Sequence, residues 1–274
     1  MKATKAALIV LLAGATVAHG AIARVQSKAA NTSATNATSL PIVMDSTPTA
    51  GNVLVIAYTG GGTSNNDPRM SEQAGITWQI YQNHNSTSGT GGIAFGRVAA
   101  GIASSTVTLA CTSSQPLAAI AVEYSGTNIR SDKQIAATGS STTAATGATS
   151  EATNNANELW FASVSCRSNA NVPVFSSPVL AGTGGTAAFV AQTNTNNAGS
   201  NLDRDIAAIE RIVTATGSPN ASATMSSTNQ WNALLMTFEE TPSSSSTGDT
   251  KIPSIGMNLY NWLKRTAGVI LTHR

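Results

Sequence analysis

Short runs of apolar, β-branched and aromatic residues recur along the chain, each closed off by Gly, Ser, Asn or Pro. The runs are "IARVQS" (22–27), "SLPIVM" (39–44), "NVLVIAYT" (52–59), "ITWQIYQ" (76–82), "GIAFGRVA" (92–99), "TVTLAC" (106–111) and "LAAIAVEYS" (117–125). They continue with "ELWFASVS" (158–165), "TAAFVAQT" (186–193), "IAAIERIVTA" (206–215), "SATMSS" (222–227) and "WNALLMTFE" (231–239). A dozen short strands with turn residues between them predict an all-β protein, an antiparallel sandwich of jelly-roll type. "AGNVLVIAY" and "AIAVEYSG" are nearly continuous apolar runs, as central strands covered on both faces require, whereas "TVTLAC" alternates.

Three stretches fit this pattern less simply. In "LDRDIAAIERIVTA" the residues Leu202, Ile206, Ile209 and Val213 fall at helical spacing. A strand is expected there, because a turn-like "TGSPNAS" and another alternating stretch follow, as in a hairpin. The polar tracts Thr138 to Asn157 and Thr193 to Asn201 lack apolar periodicity and are expected to be surface loops.

The two ends differ from the middle. Residues 1–20 open with Lys2 and Lys5, continue with "AALIVLLAGATVA" and close on small residues, the order of a secretory signal. The body expected to remain is 21–240, followed by a Ser-rich linker at 241–250 and a basic, apolar segment at 251–274. That last segment, as a helix, would group Leu259, Trp262, Leu263 and Ile270 near one side, with Lys264 and Arg265 interrupting. Such a face suits docking onto a partner or an interface; its apolar runs are too short for a transmembrane span.

Composition narrows the classes of function. The formal charge is +2, and with Lys2 and Lys5 lost 13 basic side chains would face 13 acidic ones, which leaves no electrostatic case for nucleic acid. A hydrophobic content of 41% places the chain among globular proteins, and 10% charged residues leave a surface of hydroxyls and amides, as extracellular proteins often have. Cys111 and Cys166 would meet as one disulfide in an oxidising compartment, or stay as two separately buried thiols.

From Ala21 to Glu240 the order of segments resembles a β-sandwich module of bacterial extracellular proteins and phage virion proteins. The pieces that carry the likeness include "TPTAGNVLVIAYTG", "EQAGITWQIYQ", "GIAFGRVAAG", "AAIAVEYSGT", "NNANELWFASVS" and "ERIVTATGSPNASATMSSTNQWNALLMTFE". The resemblance implies a jelly-roll-like sandwich serving as a surface, adhesive or virion component, and brings no catalytic residues with it.

Tests for chemistry give few candidates. No G-x-S-x-G elbow accompanies the abundant serines, and His84 is the only histidine between the signal and the tail. Were the signal cut before His19, a copper enzyme bracing the metal between His19 and His84 would be conceivable; cut after Gly20, His19 is lost. Among the acids, Glu123 stands out between Val122 and Tyr124 in an apolar strand, and an outward or edge-facing carboxylate is expected there. Asp203 and Asp205, two apart beside asparagines, are the candidate ligands for a structural calcium ion. Trp78, Tyr81 and Trp160 are the candidate aromatics for stacking sugar rings.

The expectation is therefore a secreted, non-catalytic structural or adhesive module. Its partners would be a cell-surface polymer or other protein subunits, copies of itself included, and no cofactor is expected. A virion or filament subunit would share the fold, with Trp262, Lys264 and Arg265 docking the tail onto a neighbour.

Overall fold

In the computed structural model the described residues are 21–241, except 34, 62–66, 86–88, 101, 103, 127, 169–174 and 196–202. The expected signal segment and the tail, with Trp262, Lys264 and Arg265, lie outside them. Among the described residues there is no helix, and none is long and apolar enough to cross a membrane; fourteen strands form three antiparallel sheets.

The first half of the chain builds two layers. Strands β1 (Ala23–Asn31), β3 (Val53–Gly60), β5 (Gln79–Asn85), β6 (Gly89–Arg97) and β8 (Leu117–Ser125) form a middle sheet in the order β1-β8-β3-β6-β5. Strands β2 (Ala37–Val43), β4 (Arg69–Met70) and β7 (Thr106–Gln115) form a three-stranded sheet, β2-β7-β4. Leu40, Ile42, Val107 and Leu109 of that sheet pack on Leu54, Ile56, Tyr58, Ala119 and Ala121 of the middle one.

The second half builds the opposing sheet from β9 (Ile129–Ala148), β10 (Asn157–Ser168), β11 (Ser176–Ala181), β12 (Ala188–Asn194), β13 (Asp203–Thr214) and β14 (Asn220–Glu240). Its order is β11-β14-β10-β13-β12, with β9 along the free side of β14. The odd-numbered residues Val53, Val55, Ile93 and Phe95 and the even-numbered Ile120 and Val122 of the middle sheet meet Leu159, Phe161, Ile206, Leu234, Met236 and Phe238. Phe95 and Phe238 close this core edge to face at 5.1 Å, and Tyr124 meets Phe161 in the same way at 6.4 Å.

Because the middle sheet has side chains packed on both faces, β3 is buried at every position and β8 at all but its last. The continuous apolar runs read from the sequence follow from this. β7, with one face on the core, is buried at alternate positions over its first half. β13 is a strand: both of its faces are covered, Ile206 and Ala208 on one and Ala207, Ile209 and Val213 on the other. Two buried faces abolish the period-two signal, which is how a helical spacing arose by coincidence.

Two expectations are corrected. "SATMSS" and "WNALLMTFE" are one strand, β14, whose register with β9 breaks between Thr224 and Asn229. The polar tract from Thr138 is not a loop through its first half: Thr138–Ala148 continues β9. The β9–β14 ribbon folds back at this break and lays Ala144, Ala221, Ala223 and Met225 over Trp160, Ala162, Val164, Ile209 and Leu235. The tract is polar because one edge is open, and its small Ala, Ser and Thr residues are what allow the ribbon to lie close.

Candidate functional site

The sequence-derived aromatics separate onto three surfaces. Trp160 has no exposed area; its ring is enclosed on the outer face of the second sheet and its Nε1 donates to Glu158 at 3.2 Å. It is therefore a core residue and offers no face to a sugar. Tyr81, on β5, turns its half-buried ring toward the core between the two large sheets. Trp78, just before β5, packs on the opposite side, against the core beneath the three-stranded sheet.

Trp78 is the one that borders a groove. A depression of about 710 Å³ is lined by Met70, Glu72, Gln73, Ile76, Trp78 and Ile80, between β4 and the edge strand β5. Two smaller hollows, of about 390 and 360 Å³, flank the same strip on the β7 side, reaching Thr106 and Thr108 in one case and Ala110 to Thr112 in the other. The strip Asp67–Ile80 thus forms a continuous recessed rim whose walls are mainly hydroxyls, amides and aliphatic groups.

The remaining candidates do not join it. Asp203 and Asp205 are buried residues of β13 rather than members of a tight loop; Asp203 pairs with Ser168, and Asp205 accepts a long contact from the Cys166 thiol at 3.9 Å. Cys111 and Cys166 are free thiols, so the disulfide is not formed: Cys111 lies on β7 and Cys166 on β10, with the middle sheet between. Burial pushes the Cys166 thiol well above its ordinary pKa, with Asp205 adding to the rise. His84 falls on β5 opposite Thr90, and His19 lies outside the described residues.

Glu123 is neither outward nor at an edge. It has no exposed area and accepts from Thr49 N at 2.7 Å, Asn52 Nδ2 at 2.6 Å and Gln26 Nε2 at 2.5 Å. Gln26 in turn exchanges hydrogen bonds with the backbone of Ser46. The carboxylate therefore holds the β2–β3 connection against the middle sheet.

A carboxylate cluster that the sequence did not reveal lies where β9, β10 and β14 meet. Asp132, Glu158 and Glu239 each bring an oxygen within 4.8 Å of the others, the one such trio with metal-ligand spacing among the described residues. Asp132 and Lys133 together oppose Thr237, and this bulge turns Asp132 inward. The oxygens are already engaged: Arg130 binds Glu239 at 2.6 Å, Asn155 donates its amide to Glu239 and its backbone N–H to Glu158, and Asn154 and Lys133 hold Asp132. Burial raises the Glu158 pKa to about 7 against its hydrogen bonds from Asn155 and Trp160, and Asp132 and Glu239 add to the rise.

Comparison with protein families, with curated proteins and with solved structures finds no match to this chain. The antiparallel sandwich stands on the structure itself.

The Glu158 shift makes stability depend on pH with a definite sign. A carboxyl whose folded pKa lies above its unfolded value stabilises fully below the unfolded value, near 4.5, and that contribution is lost as pH rises through about 7. The loss is of the order of 3–4 kcal/mol, at about 1.4 kcal/mol for each pH unit by which folding displaces a pKa. Denaturant melts between pH 4.5 and 7.5 are expected to show the decline, and Glu158→Gln to flatten it. An unchanged slope in the variant would locate the pH dependence elsewhere.

Proposed function

We propose that this protein is a non-catalytic, exported β-sandwich module of a cell or virion surface, which holds a polymer or a neighbouring subunit along the rim formed by Asp67–Ile80. The observation that supports this reading is the contrast between interior and rim. The space between the layers is filled by close-packed side chains, including Ile56, Ile120 and Phe161, each with no exposed area. The recessed surface is an open strip bearing a half-buried indole, a carboxylate, an amide and several hydroxyls, which is the mixture of apolar body and sparse polar groups that binding clefts use. Low charge over the body suits a displayed surface, and the resemblance of its segments to extracellular and virion modules points the same way.

Co-sedimentation of the full chain with insoluble cell-wall and polysaccharide preparations, run beside light scattering for self-assembly, tests the reading. Retention on a polymer or concentration-dependent assembly is expected, and Trp78→Ala combined with Ile80→Ser should weaken it while leaving the β-type circular dichroism unchanged. A wild-type chain that stays monomeric and unbound throughout would overturn it.

A further inference from the structure

We infer that the groove beside Trp78 is a site for an uncharged glycan, with the indole as its stacking platform and Glu72 and Gln73 as its hydroxyl-binding groups; this rests on the surface-module reading and names the ligand of that rim.

The indole is immobilised before any ligand arrives. Its Nε1 donates to the Ser71 carbonyl at 3.1 Å, which fixes the ring edge. Beneath it lies Gly96 of β6: a Cβ there would stand 3.1 Å from Trp78 Cε3 and 2.4 Å from Ile76 Cγ2, so the bare glycine lets both side chains settle on the strand. A ring held by its edge and by one side loses little freedom on binding, and rigid aromatic platforms gain affinity for that reason. Ile80, 41% exposed, extends the apolar floor along β5.

The polar groups around the platform match a sugar better than an apolar peptide. Sugar rings present C–H groups on their faces and hydroxyls at their rims, and thus need an aromatic face bordered by planar hydrogen-bonding groups. Glu72 supplies an exposed carboxylate and Gln73 an amide in the same wall. The Gln73 Nε2 is enclosed and meets no acceptor among the described residues, so a turn of this half-buried side chain toward the groove would give its amide the oxygen partner it lacks. Ser71, Ser104, Thr106 and Thr108 continue the hydroxyl lining in the adjoining hollow. The volume of about 710 Å³ lies within the range of ligand clefts, roughly 300–1,000 Å³.

Charge selects within the class. Among the described residues Glu72 is the one ionisable side chain lining the groove, so uronic and sialic acids would bring like charge against it, whereas neutral hydroxyls can donate to it.

Titration calorimetry of the full chain with neutral gluco-, manno- and chito-oligosaccharides, and with oligogalacturonate and hyaluronate fragments, tests the assignment. Binding of at least one neutral series is expected, weakened roughly tenfold or more by Trp78→Ala and less by Trp78→Phe. Tyr81→Ala, on the other face of the sheet, should leave it unchanged, and Glu72→Gln should narrow the preference over acidic fragments. No neutral series binding, acidic fragments binding as well as neutral ones, or Trp78→Ala without effect would each overturn the inference. So would a dimer that forms with rising concentration and is lost in Trp78→Ala without any glycan binding. In that last case, or where insoluble-polymer retention persists without neutral glycans, the surface-module reading survives alone; loss of both retention and assembly removes the two together.

Discussion

Glu123→Ala is expected to destabilise the protein by about 3 kcal/mol, because it removes three hydrogen bonds to one buried carboxylate whose donors regain only part of their worth from water. The Thr49 amide, the Asn52 side chain and the Gln26 side chain would lose their shared acceptor in a place with no exposed area on the carboxylate's own side chain. Hydrogen bonds to a charged acceptor contribute about 1.5–3 kcal/mol each, and these donors, which are exposed or only half-buried, recover part of that loss from water. At roughly 2–4 °C per kcal/mol for a domain of this size, the melting temperature should fall by about 10 °C. Glu123→Gln keeps one acceptor oxygen and should lose about half as much. Thermal melts of the two variants check this; a Glu123→Ala protein that melts with the wild type would mean the β2–β3 connection does not depend on the carboxylate.

Trp160→Ala is expected to cost about 3–5 kcal/mol, the range for emptying a large aromatic from a packed core. The ring is roofed by glycines: a Cβ on Gly182 would lie 2.2 Å from Cζ3, and one on Gly217 would lie 3.4 Å from Cη2. Neither glycine carries a side chain that could turn into the space the ring leaves, and the small alanines of the β9–β14 ribbon are too short to fill it. The same substitution removes the indole donor to Glu158, one of two hydrogen bonds that hold its pKa down. Chemical denaturation should therefore show lower stability together with a pH-dependent decline whose midpoint moves upward. Lower stability with an unmoved midpoint would mean that the indole does not influence the carboxyl.

These two residues show how much the sequence discloses. Strand β8 is legible to the residue, because a nine-residue, largely apolar run with β-branched and aromatic members, ending at Ser125 and followed by Gly126, is too short for a typical buried helix and suits a fully covered strand. Glu123 is visible as an anomaly within that run, but its partners come from a turn and from β1, distant in sequence and brought together only by the fold. Trp160 looks the same in sequence as Trp78, since both stand in strand-like apolar stretches; only the folded ribbon above one and the open rim beside the other separate their roles. Asp132, Glu158 and Glu239 were illegible for a related reason: they arrive from three strands, and a bulge rather than a sequence spacing aims the first. The missed length of β9 is different in kind. Its Ala, Ser, Thr and Gly residues carry little strand signal, and it is β14, the last strand among the described residues, that supplies their pairing.

The division of labour along the chain has a temporal side. Among the described residues every strand of the middle and three-stranded sheets ends by Ser125, and every strand of the opposing sheet begins after it. As the chain emerges from a ribosome, the first pair of layers can assemble while the second is unmade, and the face carrying Val55, Ile93, Phe95 and Ile120 then has only solvent or a chaperone to meet. Until β10, β13 and β14 have been made the newborn molecule is half a sandwich with its sticky side uncovered, a state open to the wrong partners.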